Sequence, residues 1–127
     1  MYKGSCLCGT VSFELLAEPS EVSHCHCKMC QKQHGAAFGT YASVLIKDFV
    51  YLTGAEYLSS YNSSGSIERK FCSKCGSSIE WSGSKKFPDW VSIAAGCFDT
   101  PFKPKKIDEH HLESKVCWHK SGNKYQS

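Results

Sequence analysis

Seven of the nine cysteines fall in three tight clusters: Cys6 and Cys8 in "CLC", Cys25, Cys27 and Cys30 in "HCHCKMC", and Cys72 and Cys75 in "CSKC". Cys-x-x-Cys forms a tight turn that aims two thiolates at one ion while backbone N–H groups point at the sulfurs. Cys-x-Cys does the same with a narrower turn. Three such clusters in one small chain point to bound metal, chiefly zinc. Disulfides are the poorer reading. The cysteine count is odd, and a bridge between cysteines as close as Cys25 and Cys27 would be strained. The opening "MYKGSCLCGT" is polar and lacks an apolar stretch of signal-peptide length, and no run approaches a membrane span. A reducing cytoplasm is therefore the expected location, where clustered thiols bind metal more often than they pair.

Spacing alone leaves two groupings open. Cys27 and Cys30 could join Cys72 and Cys75 as a ribbon with a long insert, which strands Cys6, Cys8 and Cys25. Alternatively, Cys6 and Cys8 join Cys72 and Cys75, leaving Cys25, Cys27 and Cys30 as a separate trio. The second grouping uses every clustered cysteine. It also clips the first strand to a late one across a long loop, where a cross-link constrains the unfolded chain most.

The clusters must be held by short strands. "TVSFELL" alternates Val11, Phe13 and Leu15 with Thr10, Ser12 and Glu14, the period of a half-buried strand. "AAFGTYASVLI", "FVYLT", "EYLSSY", "SIERKF", "SSIEW" and "WVSIAAGCF" follow, separated by turn signals such as Thr53-Gly54 and Pro88-Asp89. Gly39 marks a bulge or a close approach. One short helix is expected, Lys28 to His34, stopped by Gly35. The class is mainly β, and 127 residues make a single domain, 1–127, the default. Trp81, Trp90 and Trp118 read as core, and Cys97 and Cys117 as small buried residues. In the tail "SGNKYQS", Tyr125 is the one anchor against fraying.

Charge narrows the function. Fifteen basic residues against twelve acidic ones leave +3, and Arg69 is the sole arginine. Nucleic-acid readers carry a stronger basic face and base-reading arginines, so no nucleic-acid partner is expected, and no membrane partner either. Lys85, Lys86, Lys103, Lys105 and Lys106 read as solvated loop charge. No phosphate loop, nucleotide fingerprint or Ser-His-Asp arrangement is visible.

The segments "GSCLCGTVSF", "HCHCKMCQKQHGAAF" and "FCSKCGSS" resemble the three signature blocks of the glutathione-dependent formaldehyde-activating enzyme family, also called the GFA or CENP-V domain family. "GCFDTPFKP" and "HHLESKVCW" resemble its later blocks more loosely, so the likeness runs from Gly4 to about Trp118. Gln31 stands where members of that family commonly carry Arg. The resemblance implies an Mss4-like β-tent of short antiparallel strands with one short helix, stapled by zinc. It also implies the second grouping, with two Zn2+ per chain. Cys6, Cys8, Cys72 and Cys75 would hold a closed structural zinc. Cys25, Cys27 and Cys30 would hold a second zinc with one position open, as catalytic sites have.

An external thiol is a natural fourth ligand there, because coordination deprotonates it at neutral pH. The implied reaction is zinc-dependent carbon–sulfur lyase or synthase chemistry: a small thiol such as glutathione adds to formaldehyde or a related electrophile, giving S-hydroxymethylglutathione in the family's case. His26, between two ligands, is a candidate to orient the site, shuttle a proton or close the zinc. Lys28, Lys32 and Lys70 are candidates to meet carboxylates, with Lys70 also softening the negative site. The alternative is a non-catalytic zinc-scaffolded binding module, Mss4-like or CENP-V-like. A third reading is zinc storage or thiol-redox sensing by an exposed trio. The fourth ligand at Cys25, Cys27 and Cys30 discriminates among them.

Overall fold

The computed structural model describes residues 1–119. The chain is mainly β, and the described residues hold one α-helix and four single 3-10 turns. In chain order the elements are β1 (Tyr2–Ser5), β2 (Ser12–Leu15), β3 (Glu21–Cys25), α1 (Lys28–His34), β4 (Gly39–Leu45), β5 (Phe49–Thr53), β6 (Leu58–Ser64), β7 (Ile67–Cys72), β8 (Ser78–Ser82), β9 (Trp90–Ala94) and β10 (Asp108–His110). A small sheet has the order β1-β2-β5, and a seven-stranded sheet the order β10-β3-β4-β9-β8-β7-β6. Neighbouring strands are antiparallel, as expected, except that β10 lies parallel to β3. Among the described residues, no helix is long and apolar enough to cross a membrane.

The core lies between the sheets. Phe13 and Leu15 are fully buried and alternate with half-exposed Ser12 and Glu14, as the period-two pattern requires. They pack with Val11, Val44, Ile79, Val91 and Ile93, and Cys6 and Cys72 belong to the same cluster. Burying a side chain such as Phe13 or Leu15 is worth about 1.5–3 kcal/mol. Phe13 also meets Phe49 and Phe98 at centroid distances of 5.6 and 6.2 Å.

The other face of the seven-stranded sheet carries a different set. On β9, Trp90 and Ser92 alternate with the core residues Val91 and Ile93. Ser92 is opposite Ser43 on β4 and Trp81 on β8; Ser43 is opposite Glu21, and Trp81 is opposite Arg69. This overturns the core reading of the tryptophans. Trp81 and Trp90 are half-buried on the face turned away from the core, and Trp118 is 53% exposed. Small branched side chains and Phe13 fill the core instead. Cys97, expected to be buried, is half-buried, its thiol donating to Ser78 O at 3.3 Å and raised to about 11 by burial. Cys117 is exposed, not buried, because it follows Val116 on a surface turn. Tyr125 lies outside the described residues.

Gly39 and Gly54 each allow a close approach. Gly39 leaves room for the His34 ring, which a Cβ would meet at 2.9 Å, so its expected role is met. Gly54 has φ +74°, and a Cβ there would collide with Thr10 O. Gly54→Ala is therefore expected to lower stability by about 1–3 kcal/mol, measured by urea unfolding; an unchanged midpoint would contradict it.

Candidate metal centres and the cavity beside them

Two thiol groups form, in the second of the groupings left open by spacing. The sulfurs of Cys6, Cys8, Cys72 and Cys75 lie within 4.8 Å of one another, and so do those of Cys25, Cys27 and Cys30. A tetrahedral ion with metal–sulfur bonds of about 2.3 Å needs sulfurs about 3.8 Å apart. The observed separations are 3.6 Å for Cys6–Cys8, 3.9 Å for Cys8–Cys72 and 3.5 Å for Cys25–Cys27. Both groups therefore fit a metal ion.

The four-thiol group joins the two sheets. Cys6 and Cys8 lie between β1 and β2, while Cys72 ends β7 and Cys75 lies in the turn to β8. Each pair is followed by a glycine in the left-handed region, Gly9 (φ 80°) and Gly76 (φ 82°). That geometry closes the tight turns: Gly9 N–H donates to Cys6 O and Gly76 N–H to Cys72 O. Donors converge on the sulfurs. Val11 N–H reaches Cys6 Sγ at 3.3 Å, and Ser77 holds the Cys75 thiol down at about 5. Cys6 and Cys72 are sunk in the core.

The three-thiol group sits at the end of β3 and the start of α1. Cys25 closes β3 opposite Gly39. Cys27 caps α1, its sulfur accepting from Cys30 N–H at 3.4 Å. Cys30 is buried one turn in. The helix stops as expected at Gly35, whose φ of 60° lets its N–H reach Gln31 O. The Cys25 hydrogen bond, and then the Arg69 guanidinium, hold the Cys30 thiol down at about 4 against its burial. The Cys25 thiol is correspondingly raised, by that same contact and by burial.

Arg69 is a candidate site residue that the sequence reading missed. It is 4% exposed, and its two Nη atoms donate to Cys30 Sγ at 3.6 and 3.7 Å. It also donates to Ser63 Oγ and Gln33 Oε1, each at 2.9 Å, and to Tyr41 Oη at 3.4 Å. Lys70, expected to soften the trio, instead pairs with Glu80 at 3.4 Å. Lys28 reaches Gln31 Oε1. Tyr41 Oη is 2.8 Å from His34 Nε2 and 3.9 Å from Cys30 Sγ. Burial raises the tyrosine pKa and lowers that of His34, so the phenol stays protonated and the ring neutral.

His26 is 2% exposed, with Nε2 on Glu109 Oε1 at 2.6 Å; its Nδ1 is buried without a partner. It is not one of the residues whose ligand atoms gather with the three sulfurs. Gln31 Nε2 donates to His26 O and Ser114 O, tying the trio's loop to the C-terminal segment. A cavity of about 610 Å3 opens beside Cys25, Cys27 and Cys30, floored by Tyr41 and Arg69 and reaching Trp81, Phe87 and Trp90.

A family model described as "Glutathione-dependent formaldehyde-activating enzyme" matches residues 1–115. A Halomonas elongata protein, whose name provisionally assigns that activity, is 32% identical over 128 residues, 93% of this chain and 79% of its own length. An uncharacterised lyase of Schizosaccharomyces pombe is 28% identical over 78 residues, 61% of this chain and 55% of its own. The crystal structure of a Rhodobacter sphaeroides protein has the same fold, with a TM-score of 0.67, 24% identity, and coverage of 84% of this chain and 98% of that one. With its three cysteine clusters gathered into two thiol groups, and a match over residues 1–115, the chain belongs to the glutathione-dependent formaldehyde-activating enzyme family.

Proposed function

We propose that this chain is a zinc-dependent carbon–sulfur lyase or synthase that activates a small glutathione-like thiol for addition to formaldehyde or a related electrophile. One observation carries the reading. The four-thiol group sinks two members into the core, whereas the three-thiol group opens on a cavity. In this reading Cys6, Cys8, Cys72 and Cys75 hold a structural zinc, and Cys25, Cys27 and Cys30 a zinc with one free position. Zinc bound there would supply deprotonation and orientation of the incoming thiol.

The chain's own groups do the rest. Three thiolates concentrate negative charge, and Arg69 offsets part of it from the buried side. Tyr41 Oη accepts from Arg69 and lies within hydrogen-bond reach of His34 Nε2, and its own proton can be given to a carbonyl oxygen as that oxygen gains charge. His26 positions the trio's loop through Glu109. Nine thiols suit a reducing compartment such as the cytoplasm.

Titrating glutathione into cobalt-substituted protein and following the thiolate-to-cobalt absorption tests the proposal. A saturable change that disappears in Cys27→Ser is the expected result. A flat spectrum with glutathione and other small thiols would mean a closed site and a non-catalytic module.

A further inference from the structure

We infer that the carbonyl partner of this site carries an uncharged aromatic or branched apolar group, seated against Trp81, Trp90 and Phe87. The inference rests on the thiol-activating reading above. It starts from the size of the cavity. About 610 Å3 lies within the usual range for whole small-molecule sites. Formaldehyde has one carbon and one oxygen, and leaves nearly all of that space unused.

The thiol does not fill the cavity either. A glutathione-like thiol brings two carboxylates, which need cations when taken out of water. Every basic side chain lining the cavity, among the described residues, is already engaged. Arg69 donates to Ser63, Gln33, Tyr41 and Cys30. His110 pairs with Glu21 at 3.1 Å and His111 with Glu113 at 3.2 Å. None of the described lysines lines it. A charged thiol therefore enters with its sulfur at the trio and its body toward solvent. The space beyond the sulfurs is left to the other reactant.

The walls of that space name its chemistry. Trp90 and Ser92 stand on the face of β9 turned away from the core, and Trp81 is opposite Ser92. Phe87, on the loop before β9, is 54% exposed and closes the same wall. Three aromatic side chains suit a ring or a branched alkyl group, and Ser43 and Ser92 satisfy one another at 2.9 Å. The step needs no oxidant. The thiol sulfur bonds to the carbonyl carbon, the C=O π pair moves to oxygen, and that oxygen takes a proton in place of the one lost by the thiol. The product is a hemithioacetal, and cleavage is the reverse.

Stable thioethers test the size of the group without turnover. Tryptophan fluorescence of the metal-loaded chain is followed with S-benzylglutathione and S-methylglutathione, mimics of an aromatic and a one-carbon adduct. S-benzylglutathione is expected to bind about tenfold tighter or better, from burial of one ring. Phe87→Ala, a change at an exposed position, should shrink that advantage while leaving the melting temperature and the glutathione-induced cobalt signal unchanged. Equal binding of the two thioethers, with the glutathione signal intact, overturns this inference and leaves the thiol-activating reading standing. Absence of both thioether binding and the glutathione signal removes both. Benzyl mercaptan binding as tightly as S-benzylglutathione would put the ring on the thiol and overturn the assignment to the carbonyl partner.

Discussion

Cys72→Ser is expected to cost the chain its fold, and Cys27→Ser is not. Cys72 is fully buried in the core cluster beside Val11, Phe13 and Ile79. It lies in the group that ties the small sheet to the large one. Metal binding at such a group is folding free energy, because the site does not exist in the unfolded chain. The expected loss is at least about 3 kcal/mol, roughly 10–20 °C in Tm for a chain of this size. Cys27 caps a seven-residue helix beside a cavity, so its hydroxyl replacement keeps a capping acceptor. Its Tm should stay within about 5 °C of the parent, since a retained cap leaves only small losses. Circular dichroism melts with metal analysis check both. Equal losses in the two variants would sink the division between a structural and a working group.

Arg69→Met is expected to empty the three-thiol group while sparing the other. The guanidinium is buried and always charged, and it sets positive charge 3.6 and 3.7 Å from Cys30 Sγ. Removing one partner of a buried charged contact typically costs about 3–5 kcal/mol, because the remaining charge is left without compensation. Ser63 and Gln33 lose a donor as well. If both groups hold an ion as proposed, the expected result is metal content falling from two ions per chain to one, with Tm lowered and the remaining ion on the four-thiol group. Arg69→Lys should recover part of the affinity, since it returns the charge without the planar fork. Two ions bound at parent affinity in Arg69→Met would show that the arginine is only a strut.

The contrast between these cysteines and this arginine explains what was legible in the sequence. Clustered cysteines announce themselves by type and spacing. The strands β2, β4, β5 and β9 fall within apolar or alternating runs, β7 and β8 overrun theirs by one residue, β6 runs three residues past "EYLSSY" to Ser64, and α1 keeps its expected bounds Lys28–His34. Three strands gave no such signal. β1 is polar "YKGS", held by pairing with β2 and by Asp99 and Thr100 N–H groups on Lys3 O. β3 runs straight into the cysteine trio, so its residues read as motif rather than strand. β10 is "DEH", with no apolar residue, and is placed by backbone pairing and the His26–Glu109 contact. Arg69 was hidden for a related reason. In "SIERKF" it stands between Glu68 and Lys70, as a solvent-facing residue would. Only the partners it meets through the fold, Cys30, Gln33 and Tyr41, turn that face inward. The tryptophans misled because composition favours a buried indole, whereas register with Ser92 sets Trp81 on the cavity face.

The parallel strand β10 also sets an order of assembly during synthesis. The four-thiol group has all its cysteines by Cys75, whereas the trio's loop rests on Glu109 and Ser114, which arrive later. At ordinary elongation speeds that gap is about 2–7 s. A ribosome-bound chain stalled between the two points would have its staple ligands complete and the trio's thiols still unbraced. Those thiols would pass through a brief window of exposure to oxidants and to competing metals, closed once β10 is made.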